Sequence, residues 1–130
     1  MFANTQMGGI NLAFPDVCKT PPVAVPIPYP NIGLGVMGVP PVGKVLFSCA
    51  PAHNMATTIP LTNGDNPGVM MGLVSQTVMS PSRQTTAAFT VILCGLPATR
   101  MTSASIQNVV NAPPGAKISP SQVKVLLLAP

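Results

Sequence analysis

Between Phe14 and Asn31 the chain carries six prolines: Pro15, Pro21, Pro22, Pro26, Pro28 and Pro30. Each fixes φ and removes a backbone donor. Each also pushes the residue before it toward β or polyproline II geometry. The stretch therefore excludes helix. It reads as an extended segment, in part polyproline II, and not as a central strand. The side chains between the prolines are apolar: Val17, Val23, Val25, Ile27 and Tyr29. A solvated linker would carry Ser, Gly, Glu or Lys in those places. The expectation is an extended arm that buries these side chains on a surface. A proline-rich linker, or an adaptor for a proline-binding module, is the bland alternative.

The rest of the chain is also hostile to helix. Seventeen prolines in 130 residues leave no proline-free window longer than fifteen residues, and the window Ser82 to Leu96 is β-prone at its centre. The predicted strands are Lys44 to Cys49, Ala52 to Leu61, Val69 to Met79, Thr85 to Cys94 and Val123 to Leu128. Thr62 to Gly68 is a dense turn cluster in which Asp65 is read as bonding nearby backbone. A helical turn is expected only around Ser103 to Asn108. Lys44-Val45-Leu46-Phe47 aligns with Thr90-Val91-Ile92-Leu93 at an offset of 46, which also brings Pro51-Ala52 onto Pro97-Ala98. Lys124-Val125-Leu126-Leu127 repeats the strand start a third time. Two or three similar strand-turn units imply pseudo-symmetry.

Charge narrows the function. Apolar residues make up 47% of the chain and charged ones 6%, against roughly 25% charged in an ordinary soluble domain. With so little charged surface, large apolar patches are expected, and such patches mark a partner surface. The eight charges are Asp16, Asp65, Lys19, Lys44, Arg83, Arg100, Lys117 and Lys124, scattered singly. Nucleic-acid binding calls for clustered cations with aromatic stacking, so that class is set aside. No run of 18 apolar residues lacks Pro or polar interruption, and no signal-peptide pattern opens the chain. The expectation is synthesis and first residence in the cytoplasm.

Four soft or borderline ligands are present: Cys18, Cys49, His53 and Cys94. If they converge they suit a closed tetrahedral site for zinc, with iron as the alternative. If they do not, the cysteines are small apolar side chains and His53 is an ordinary histidine. An enzyme reading rests on a Cys–His dyad of His53 with Cys49 or Cys94, or on Asp16 meeting Asp65, the only acids. No phosphate-binding glycine loop is present. The reading adopted is non-enzymatic, with no catalytic residue assigned.

Several motifs together carry a family resemblance. They are Phe2-Ala3-Asn4-Thr5, Gly8-Gly9-Ile10-Asn11-Leu12-Ala13-Phe14-Pro15-Asp16-Val17-Cys18-Lys19-Thr20-Pro21 and Pro26-Ile27-Pro28-Tyr29-Pro30-Asn31. Ile59 to Asp65, Gly95 to Arg100, Gln107-Asn108 and Asn111-Ala112-Pro113 continue the pattern. The chain resembles the PAAR-like spike-tip family of type VI secretion and related contractile injection systems. The resemblance implies a mostly β, cone-shaped domain over 1–130, with pseudo-threefold repeats over 32–130 and an extended proline-rich arm over 1–31. It implies one tip per trimeric spike protein of the valine-glycine-repeat type, capping and sharpening that spike for membrane puncture. The length of 130 residues leaves no room for a toxin domain, so any effector cargo is expected on a separate chain. The target membrane would be met only transiently, and the protein would be ejected with the spike on firing. It also implies a tip metal held by histidines and a cysteine, a pattern from which a chain with one histidine departs.

Overall fold

The computed structural model describes residues 1–128, with Pro113 and Pro114 described as backbone only. The fold is mostly β, as expected, and among the described residues the only helical piece is a 3-10 turn at Gly35–Met37. Its centre is a long antiparallel hairpin, β1 (Ile10–Thr20) and β2 (Val25–Leu34). The hairpin belongs to a seven-stranded sheet with β6 (Thr62–Asn63), β11 (Ala112–Lys117), β10 (Ala104–Gln107), β7 (Ser82–Gln84) and β5 (Thr58–Ile59). The order is β5-β7-β10-β11-β1-β2-β6. The two outermost strands, β5 and β6, are joined by only Pro60 and Leu61, so the sheet nearly closes into a barrel.

The proline-rich stretch is thus not a strap laid over a separate body. Asn11 to Ala13 of β1 pair on both sides, with β2 and with β11. Pro15 falls at the register shift between Ala13 and Asp16, where a bulge tolerates it. Pro26, Pro28 and Pro30 succeed because of their spacing. In an antiparallel strand the backbone groups of residues two apart point to the same side. All three missing donors therefore lie on the outer edge of β2, which β6 reaches only at Ile32 and Gly33. Pro28 and Pro26 stand opposite Val17 and Lys19, and the ladder bonds fall to Tyr29, Ile27 and Val25 opposite Asp16, Cys18 and Thr20. The backbones of Val17 and Lys19 turn the other way. Leu73 N donates to Val17 O at 3.1 Å, Lys19 N to Met71 O at 2.9 Å, and Met70 N to Lys19 O at 3.2 Å. The expected burial of the intervening side chains occurs only in part: Val17 and Tyr29 are half-buried, while Val23, Val25 and Ile27 are exposed.

The repeat at offset 46 is realised as two superimposable hairpins. In β3 (Val42–Phe47) and β4 (Ala50–Ala52), Val42 pairs with Ala52, Leu46 with Pro51 and Phe47 with Ala50. In β8 (Ala88–Leu93) and β9 (Leu96–Ala98), Ala88 pairs with Ala98, Ile92 with Pro97 and Leu93 with Leu96. Each turn has two residues of positive φ, Ser48-Cys49 (53° and 65°) and Cys94-Gly95 (51° and 86°), the signature of a type I′ hairpin. The chain ends build the third unit. Phe2 bridges Leu126, Leu127 N donates to Met1 O, and Ala3 N donates to Val125 O.

The three units close a ring. Asn4 N donates to Thr99 O (3.1 Å), Thr99 N to His53 O (3.3 Å) and His53 N to Asn4 O (3.0 Å). A second ring runs the other way: Gln6 N to Pro51 O, Met55 N to Pro97 O and Met101 N to Phe2 O, at 2.8, 3.0 and 2.8 Å. Ala3, Ala52 and Ala98, all essentially inaccessible, occupy equivalent places. With Val42, Ala88, Leu93 and Leu127 they form the apolar core, and Val45, Phe47, Val91 and Val125 pack on it. Only small side chains fit where three backbones approach this closely.

Four of the expected elements fail. Ala52 to Leu61 is broken by a turn between β4 and β5, and Val123 to Leu128 forms only the bridge from Leu126 to Phe2. Val69 to Met79 is a series of turns rather than a strand. Met71 N bonds Gly68 O, Gly72 N bonds Thr77 O, and Met71, Gln76 and Met79 take positive φ. Ser103 to Asn108 is not helical. Ser105 and Gln107 are buried on alternate positions of β10, and pairing with β7 and β11 overrides the local tendency.

Candidate functional site

Two features stand out, and the first is a ring of exposed side chains. Leu46, Ile92 and Leu126 are equivalent positions of the three units, and they are 58%, 56% and 52% exposed. Near-identical exposure at equivalent sites shows that the symmetry reaches the surface. Leu96 and Met1, beside the second and third units, are exposed as well. The repeat places Lys44 and Lys124 at equivalent positions with Thr90, and no acid belongs to any of the three units. The outcome is an apolar, weakly basic surface repeated around one axis.

The second feature is buried. The chain's only acids, Asp16 and Asp65, meet, together with Cys18, and all three are inaccessible. Asp16 and Cys18 are two apart on β1 and so share a face. Asp65 arrives on the turn after β6. The candidate ligand atoms of the three lie within 4.8 Å of one another, a group able to hold a metal ion. Asp65 was expected to bond only its own turn. It reaches further, accepting from Met79 N at 3.0 Å and from Asn108 Nδ2 at 2.9 Å.

The four predicted ligands do not share this site. Cys18 is in it. Cys49 and Cys94 are exposed at the corners of the type I′ turns, where small two-residue loops hold them away from the interior. His53 is buried in the ring of crossing backbones, its Nε2 2.7 Å from Gln6 Oε1. Gln6 Nε2 donates to Val36 O, which fixes that amide and makes His53 Nε2 the donor. No hydrogen bond joins His53 to a cysteine among the described residues, so the Cys–His dyad is not assembled.

Three asparagines complete the buried cluster. Asn31 Nδ2 donates to Asp16 Oδ2 at 2.7 Å. Asn108 Nδ2 faces Asp16 Oδ1 at 3.3 Å, Asp65 Oδ2 at 2.9 Å and Thr77 O at 3.0 Å. Asn111 Nδ2 donates to Asp16 Oδ1 and to Val17 O. Both of the latter amides are locked from behind. Asn108 Oδ1 accepts from Thr77 Oγ1 and Ser80 N, and Asn111 Oδ1 accepts from Val74 N and Ser75 N. Their N–H groups therefore cannot turn away. The Cys18 thiol lies 3.5 Å from Asp16 Oδ1 and 3.7 Å from Asp65 Oδ2 as donor. Burial, then the two carboxylate charges, push its pKa up to about 12, so it stays protonated. Burial is also the largest influence on Asp65, whose pKa is raised against the pull of the Met79 N–H.

One thiol and two carboxylates are within the range of donors zinc accepts. As arranged here they do not fit it. Both Asp16 oxygens and Asp65 Oδ2 are already filled by N–H groups, which are not metal ligands, and the thiol is a donor; Asp65 Oδ1 alone is without a partner, and one free oxygen does not make a tetrahedral site. The cluster is sealed from solvent, so it offers no approach to a substrate. Sequence reasoning places Asn31, Asn108 and Asn111 in the family motifs but gives them no role in a site. The available signal was the Asp-x-Cys spacing on a strand, which demands buried partners for an acid.

The sequence model of the toxin PAAR-like domain matches residues 9–114, most of the chain and every member of the cluster. The chain belongs to the toxin PAAR-like domain family. Membership associates this PAAR-like domain with the spike tips and toxins of secretion systems, and with a spike protein as partner. The family is structural and toxin-associated rather than defined by an enzyme activity. No curated protein and no solved structure matches the chain.

Proposed function

We propose that this PAAR-like domain caps and sharpens the trimeric β-helical spike of a type VI secretion or related contractile injection system. The observation that carries the reading is the pair of cyclic hydrogen-bond rings, with Leu46, Ile92 and Leu126 at equivalent exposed positions. A monomer with this internal symmetry offers the same apolar contact three times to a partner with a threefold axis. Burying three such side chains contributes on the order of 1.5 kcal/mol or more each. The charge-poor surface suits a protein that spends its life docked. The PAAR-like domain waits in the cytoplasm before firing and leaves with the spike, touching the target membrane in passing.

The test is stoichiometry and protection. Mixed with a trimeric valine-glycine-repeat-type spike, the protein forms a complex of one tip per three spike chains, read by light scattering. Leu46→Asp, Ile92→Asp and Leu126→Asp each weaken it. Cys49 and Cys94, exposed at the corners of the two hairpins, become slower to alkylate in the complex. A complex of other stoichiometry, or one indifferent to all three substitutions, sinks the reading.

A further inference from the structure

Lys117, at the end of β11 opposite Asn11, is 2% exposed and is the largest fully buried side chain. Its stem and ammonium pass through a glycine gap. A Cβ at Gly9 would come 2.4 Å from Lys117 Cε, and one at Gly35 would come 2.7 Å from Nζ. The local sequence is thus arranged to admit this lysine. The ammonium has three N–H groups, and one donates to Gly8 O at 3.1 Å. No carboxylate among the described residues faces it, because Asp16 and Asp65 are both held in the amide cluster. A buried cation without a counter-charge is costly.

Beside it lies a cavity of about 10 Å³. Its polar lining includes Asn4, Asn11, His53, Ser82, Thr99 and Lys117. Two of these carry orphaned atoms: Asn4 Oδ1 and Ser82 Oγ have no partner although both side chains are buried. A half-turn of the Asn4 amide offers N–H instead of C=O, at no change in shape. The volume is that of one water-sized particle. A water would answer the open hydrogen bonds but leave the charge. A monatomic anion of similar size answers both. Burial first, and then the Lys117 charge, lower the His53 pKa to about 4, and burial lowers that of Lys117 to about 8, so the lysine still carries its charge at neutral pH.

We propose that the cavity between Lys117, Asn4 and Ser82 is a halide-class anion site, with chloride as the biological occupant, which neutralises the buried lysine. The experiment is thermal unfolding of the full chain in sodium chloride and in sodium gluconate at equal ionic strength. Gluconate is too large for the cavity. Expected is a higher Tm in chloride, by on the order of a few degrees and growing logarithmically once the site is near saturation. In Lys117→Met, which keeps the stem and removes the charge, the chloride increment disappears. If that variant does not fold, crystals of the unaltered protein grown in sodium bromide give the readout, and an anomalous peak in the cavity is the supporting result. Equal Tm values in the two salts, an increment that survives Lys117→Met, or a cavity holding only water overturns the proposal.

Discussion

The threefold region and the carboxylate cluster are built on opposite rules. Around the axis, three chain segments with little identity beyond small and apolar residues reach the same geometry. Ala3, Ala52 and Ala98 are interchangeable there, and backbone hydrogen bonds do the joining. In the cluster nothing is interchangeable. Asp16, Cys18, Asp65, Asn31, Asn108 and Asn111 each hold a separate role in one buried network. Symmetry can be supplied by backbone alone, because every residue carries the same donor and acceptor. A buried charge has to be met by specific side chains.

The sharpest way to break the comparison is to remove a side chain on each side. Asn108→Ala deletes the amide that faces Asp16, Asp65 and Thr77 O, and strands two inaccessible carboxylates. A loss of about 3–5 kcal/mol in urea unfolding is expected, because the carboxylates are left buried with fewer partners. A loss under about 1 kcal/mol would mean the cluster is not the lock described above.

Acid separates the three units of the ring. His53, Asn4 and Thr99 are equivalent, and only His53 titrates. Its folded pKa, lowered from 6.5 to about 4, means the unfolded chain binds the extra proton between those values. Stability from this residue is therefore full above about pH 6.5. It falls as the pH drops toward 4, by up to about 3 kcal/mol in total. His53→Asn, which copies the Asn4 position, flattens that part of the pH–stability curve. An unchanged slope in the variant would assign the acid sensitivity elsewhere.

Overpacking the axis sharpens the symmetry. Ala3→Val, Ala52→Val and Ala98→Val each insert two methyl groups where three backbones converge, at about 1–3 kcal/mol each. The three losses should agree within about 0.5 kcal/mol. A spread larger than the mean would show that the hydrogen-bond symmetry does not extend to packing.

The threefold region was largely legible in the sequence, and the cluster largely was not. The offset of 46 between Val45 and Val91 survives as identical strand register, since periodicity in small apolar residues translates directly into repeated hairpins. The N-terminal segment, Phe2 to Gln6, carries no such text, because its role as a third crossing strand depends on backbone bonds to Pro51 and Thr99. The prolines exclude helix, in the sequence and in the structure alike. Their regular spacing was the missed clue, since Pro26, Pro28 and Pro30 leave one edge of β2 free to pair. The ligand set Cys18, Cys49, His53 and Cys94 was chosen by chemical type. Type says nothing of distance, and the partners that do converge on Cys18 are an acid 47 residues away and amides 90 and 93 away.

The smallest expected effect concerns metal. A tip fastened by zinc would lose stability on chelation, because metal affinity and folding free energy are one quantity in such sites. Here both Asp16 oxygens and Asp65 Oδ2 already accept from Asn31, Asn108, Asn111 and Met79, the Asn108 and Asn111 amides cannot rotate out, and only Asp65 Oδ1 is left open. Dialysis against EDTA should leave the Tm unchanged within about 1 °C, a shift worth no more than a few tenths of a kcal/mol. Asp16→Asn should lower the Tm by the same amount with or without the chelator. A chelator-sensitive Tm, with metal measured at one equivalent per chain in the untreated protein and lost in Asp16→Asn, would require the asparagine amides to yield their places. It would bring the cluster under the same rule as a metal centre.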